Sequence, residues 1–82
     1  MSEKEIFDNV VKILAPYAKD QAALDQVSST TNILEDLKVN SARLVDVVLA
    51  FEDEFEIEVA DEDIDGVNTV GDAVRLIVGK LG

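Results

Sequence analysis

Apolar residues recur at three- and four-residue steps in three separate stretches: Ile6, Val10, Val11 and Leu14; Leu44, Val47, Val48, Phe51 and Phe55; and Val70, Ala73, Val74, Ile77, Val78 and Leu81. That is the period of an amphipathic α-helix, in which such positions share one face. Start and stop signals frame the stretches. Ser2 with Glu5 three residues on is the pattern of a capping box, and Pro16 closes the first stretch. Thr69 with Asp72 opens the last stretch in the same way. The pattern predicts an all-α fold, a small three- to four-helix bundle, with helices from Glu3 to about Ala15, from about Ser41 to Glu56, and from Thr69 towards the end of the chain.

A long connection separates the first two of these helices. Gln21 to Val27 can form a helical turn, whereas Ser28-Ser29-Thr30-Thr31-Asn32 is a run of side chains that compete for backbone hydrogen bonds and favour loop. Ile33, Leu34 and Leu37 then supply apolar anchors, so the connection is expected to be ordered against the bundle. After the second helix, Ile57-Glu58-Val59 begins its exit, Asp61 to Asp65 reads as a loop or a short turn of helix, and Gly66 ends it.

Eighty-two residues are expected to form one domain, residues 1–82. Nearly half of them are apolar, with few aromatics and no tryptophan, so the core should be aliphatic. Eighteen acids against seven bases leave a net charge of −11. Coulomb repulsion then excludes nucleic acid and anionic membrane surfaces, and partners are expected to carry basic patches. The chain contains no cysteine and no histidine, hence no disulfide, no thiolate metal site and no near-neutral base. Its first residues lack the basic and apolar regions of a signal peptide, and a cytoplasmic monomer is the default expectation.

Two motifs bear on function. Asp61, Asp63 and Asp65, followed by Gly66 and by Asp72 in the twelfth place, follow most of the spacing of a calcium-binding EF-hand loop. The twelfth residue is usually a longer, bidentate glutamate, and no second loop is present to pair with this one. The other motif is Ser41, which follows the anchored loop at the expected first turn of the second helix. Its simple reading is that Asn40 or Ser41 caps that helix. Opposite the helix's core face lie Ala42, Asp46, Leu49 and Asp53, either a solvated surface or a docking strip.

The serine, its loop and the helix Val45-Asp46-Val47-Val48-Leu49-Ala50-Phe51-Glu52-Asp53-Glu54-Phe55 together resemble an acyl carrier protein, and the likeness continues through Thr69-Val70 and the last helix. The resemblance implies that Ser41 bears a covalent 4′-phosphopantetheine, derived from coenzyme A, whose thiol holds acyl groups as thioesters. It implies a carrier rather than an enzyme. Partners would be a phosphopantetheinyl transferase and acyl-processing enzymes of fatty-acid, polyketide or related pathways, docking on Asn40, Ala42, Arg43, Asp46, Leu49, Glu52 and Asp53. Four residues depart from the family pattern. Asn40 replaces the usual aspartate before the serine, Ala42 the usual leucine after it, Arg43 an acid and Lys38 a glycine. Together they make the junction less acidic and suggest a specialised carrier. The calcium-binding reading, with Asp61, Asp63, Asp65 and Asp72 as ligands, is the alternative from another class; an acidic adaptor that carries no group is a third.

Overall fold

A computed structural model describes residues 2–82. Five helices follow one another: α1 (Glu3–Leu14), α2 (Gln21–Leu24), α3 (Leu44–Phe55), α4 (Asp61–Asp65) and α5 (Val70–Leu81). The three long ones form the bundle, and the two short ones lie in its connections. Among the described residues, extended pairing is confined to two isolated antiparallel bridges, Ala18 with Val39 and Asn32 with Thr69. No helix there is long and apolar enough to cross a membrane.

The predicted apolar faces meet in one core. Ile6, Val10 and Leu14 of α1 pack with Val47, Phe51 and Phe55 of α3 and with Val70, Ala73, Val74 and Ile77 of α5. Side chains of this kind each contribute about 1.5–3 kcal/mol when fully buried, and they are the main reason these short helices hold together. The loop anchors join the same core: Ile33 and Leu37 are 1% and 0% exposed. The residue 15–40 connection is therefore ordered, as its apolar content predicts.

Helix ends follow local chemistry. The Ser2 hydroxyl accepts the Glu5 amide hydrogen at 3.2 Å, and the Asp20 carboxylate accepts that of Ala23 at 3.2 Å to open α2. Thr69 and Asp72 form a reciprocal capping box at α5. α3 stops where Glu56 turns into the left-handed region at φ 54°, one residue beyond its last helical position.

Of the two readings of Asp61–Asp65, the short helix is the one that forms. Two expectations need correction. α3 begins at Leu44; Ser41–Arg43 form a single tighter 3₁₀ turn, because Asn40 starts the turn and the serine sits inside it. Val78 and Leu81, counted from spacing with the core of α5, are 41% and 45% exposed, because the bundle ends before they find partners.

Candidate functional site

The platform for Ser41 is set up twelve residues upstream and more. The Ser29 carbonyl accepts the Gly71 amide hydrogen at 2.8 Å, and Thr31 accepts that of Val70 at 2.9 Å, which ties the loop to the start of α5. Only glycine fits at 71: a Cβ there would lie 2.6 Å from the Ser29 carbonyl oxygen. Next, the Ile33 amide donates to the Asn68 carbonyl at 2.9 Å, while the Asn32 side chain accepts from Leu34 and Glu35 at 3.0 and 2.8 Å. The Leu37 carbonyl accepts from Lys19 and Asp20 at 3.1 and 3.2 Å, and Val39, 3% exposed, donates to Ile33. Lys38 lies between these two buried anchors at φ 57°, the left-handed region glycine enters most readily.

Chain direction then reverses into α3. Asn40 is extended, its side-chain oxygen accepts the Ala42 amide hydrogen at 2.9 Å, and its carbonyl accepts that of Arg43 at 2.8 Å. The cap is thus Asn40. Ser41 is exposed, and among the described residues its hydroxyl makes no hydrogen bond, although its backbone is fixed on both sides. A rigidly held primary hydroxyl with no internal partner is free to be a nucleophile or an attachment point. Neither sequence neighbour of Ser41, Asn40 or Ala42, is a general base.

Beyond the serine, α3 presents a strip to solvent. Ala42 is exposed, Val45 and Leu49 are 56% and 55% exposed, and Asp53 lies further along. Sequence reasoning missed Val45. Four helical residues turn through about 400°, so Val45 shares a face with Leu49 and could have been found from spacing. Arg43 pairs with Asp46 at 3.1 Å, with 66% and 45% of the two side chains exposed. Such surface pairs contribute about 0–1 kcal/mol and exchange readily. Glu52 is placed differently from the rest of the expected contact set: its carboxylate accepts the Val59 amide hydrogen at 3.0 Å and ties down the exit from α3.

The four carboxylates of the EF-hand alternative do not converge. In the helix α4, Asp61 and Asp65 are four residues apart and share a face, whereas Asp63 points about 200° away from each. Asp63 accepts from the Ala60 amide at 3.1 Å and pairs with Lys80 at 3.0 Å; Lys80, and then that amide, hold its carboxyl below the usual carboxylate range. Asp72 accepts from Thr69 and Asn68 at 3.0 and 3.1 Å and also meets Arg75. The Thr69 amide first, then that of Asn68, lowers its titration against the opposing effect of burial. Among the described residues, no three acidic, histidine or cysteine side chains gather as a metal site. Spacing matched a calcium loop, but helix formation and capping use these groups.

Comparison with known proteins identifies the family. Residues 11–77 match the family model described as a phosphopantetheine attachment site. The acyl carrier protein of Picosynechococcus sp. is 38% identical over 79 residues, covering 96% of this chain and 95% of that one. That of Lactobacillus acidophilus is 37% identical over the full length of both chains. The solved structure of the acyl carrier protein from Enterococcus faecalis superposes with a TM-score of 0.80 at 38% identity, covering 98% of this chain and 99% of that one. Neither the family model nor these relatives support calcium binding as the function. A helical bundle with a serine presented at a helix start, matched along nearly its whole length by such relatives, belongs to the acyl carrier protein family: it is a carrier of covalently attached 4′-phosphopantetheine and not an enzyme.

Proposed function

We propose that Ser41 is the residue that carries the phosphopantetheine, as a phosphodiester to its hydroxyl. One observation carries this reading: the Ser41 hydroxyl is exposed and unbonded on a backbone that Asn40 has already capped. When attached, the group supplies a terminal thiol, which a chain without cysteine otherwise lacks, and the thiol holds acyl groups as thioesters. The protein's own part is to hold the anchor point still while the arm reaches a partner's active site at high effective concentration.

The exposed strip of α3 is the proposed docking surface for the transferase and for acyl-processing enzymes. Ala42, Val45 and Leu49 give it an apolar centre, and Asp46 and Asp53 give it charge that suits basic patches on those partners. Arg43 and Lys38 are the only charged residues between Leu37 and Val45, so the serine end of the strip is less acidic than the rest, with Arg43 paired to Asp46. A partner that fits this carrier well matches both ends: acidic or neutral beside Asn40 and Arg43, basic further along. With eleven excess negative charges, copies of the chain repel one another, in keeping with a monomer that works in the cytoplasm.

Intact mass before and after incubation with a phosphopantetheinyl transferase and coenzyme A tests the reading. The parent is expected to gain one phosphopantetheine and Ser41→Ala none. A folded parent that stays unmodified with several transferases, or a Ser41→Ala variant that is still modified, refutes it.

A further inference from the structure

At the pole of the bundle away from Ser41, the first turn of α1 and the last turns of α3 and α5 enclose a cleft of about 690 Å³. Ile6 and Phe55, 2% and 6% exposed, form its floor. Val78 and Leu81 stand at its sides and are the two large apolar residues of α5 that remain exposed. Glu3, Glu54 and Glu56 form its rim, and no lysine or arginine lines it. Of the two cations adjacent to it in sequence, Lys80 is turned to Asp63 and Lys4, next to Glu3, lines a separate groove with Phe7 and Arg75.

The charge arrangement is unfavourable in isolation. Helix C-termini carry partial negative charge, and those of α3 and α5 both end here. Acids are stabilising at a helix start, which suits Glu3, but α3 has no basic residue in its last turn and places Glu54 and Glu56 at its negative end. An external cation beside these carboxylates relieves that repulsion, while an apolar surface over Val78 and Leu81 removes them from water.

We propose that this cleft is a second docking site, for a basic amphipathic helix of a partner protein. The partner's apolar face seats on Ile6, Phe55, Val78 and Leu81, and its flanking lysines or arginines meet Glu3, Glu54 and Glu56. A second copy of this chain does not suit the site, since it brings a net charge of −11 to an acidic rim. α3 is about 18 Å long, so an occupant at its C-terminal end leaves Ser41 and the serine end of the strip open. The carrier can then be held by one surface while the other is used in turn by different enzymes. The inference goes beyond the serine site and does not depend on it.

The test titrates the ¹⁵N-labelled full chain with a synthetic leucine–lysine amphipathic helix of about four turns, following amide shifts and binding heat at several salt concentrations. Saturable one-to-one binding is expected, with shifts centred on Ile6, Phe55, Val78 and Leu81. Val78→Ser with Leu81→Ser should weaken it about tenfold or more, as removal of central apolar anchors does. Glu54→Lys with Glu56→Lys should weaken it comparably and flatten its salt dependence, and this pair decides alone if the first variant melts early. Shifts centred on Val45 to Asp53, or spread over the acidic surface with affinity unchanged in both variants, overturn the proposal. So does self-association of the parent through Val78 and Leu81 in sedimentation.

Discussion

The starts of α3 and α5 look alike in sequence, each with hydroxyl or amide side chains before an apolar run, yet they differ in what remains unused. At α5 both capping side chains are engaged: the Thr69 hydroxyl accepts from the Asp72 amide, the Asp72 carboxylate accepts from the Thr69 and Asn68 amides, and Gly71 packs against the Ser29 carbonyl. At α3 the cap falls to Asn40, and the Ser41 hydroxyl is left over. A helix start whose hydroxyl is taken up in a capping box serves the fold. One that holds a rigid, exposed and unbonded hydroxyl can serve chemistry.

Substitution at Gly71 should have the largest effect on stability. In Gly71→Ala the new methyl meets a backbone oxygen, so loop and helix must part, at a cost of about 2 kcal/mol after any gain in helix propensity. A denaturant midpoint unchanged from the parent would show that the loop is not pinned there.

Cap removal is the next largest. Thr69→Ala and Asn40→Ala should each lose about 1 kcal/mol, whereas Ser41→Ala should stay within about 0.5 kcal/mol of the parent. Equal losses for Asn40→Ala and Ser41→Ala would erase the distinction between the two helix starts.

Acid should expose the same contrast in titratable form. The folded carboxyls of Asp63 and Asp72 titrate below their ordinary value of 3.8, so their contribution is full above that pH and is lost as pH falls through the lower folded values. The stability difference between the parent and Asp72→Asn should therefore shrink on acidification below about pH 4. A difference that stays constant or grows there would show that Asp72 is not held in its charged form by the α5 cap.

Lys38 gives the smallest effect. Lys38→Gly relieves a left-handed side-chain conformation but frees the unfolded chain, and the two nearly offset to a net gain of about 0.5 kcal/mol or less. A clear loss in thermal melting would mean that the lysine side chain makes contacts of its own at the junction.

Much of this was legible in the sequence because the signals are local. Helical spacing located α1, α3 and α5, and the Ser2 and Thr69 caps follow from the spacing of two residues each. What failed to show was non-local or ambiguous. Asn40 and Ser41 are equally good caps on paper, and only the backbone path out of Val39 assigns the role to Asn40. Nothing near Gly71 in sequence announces Ser29. Val78 and Leu81 keep the core period of α5 but outrun the helices that would cover them. The calcium spacing of Asp61 to Asp72 arose in a chain with eighteen acids, where carboxylates at useful intervals are common and capping accounts for those that matter.

The central claim, that this one hydroxyl has been left free for attachment, is tested most directly by tandem mass spectrometry of the transferase-treated protein. The chain offers four serines and three threonines as possible acceptors. The account predicts one phosphopantetheine, found on the peptide fragment containing Ser41 and absent from every other acceptor. A group located on Ser28 or Ser29, or shared among several hydroxyls, would contradict it.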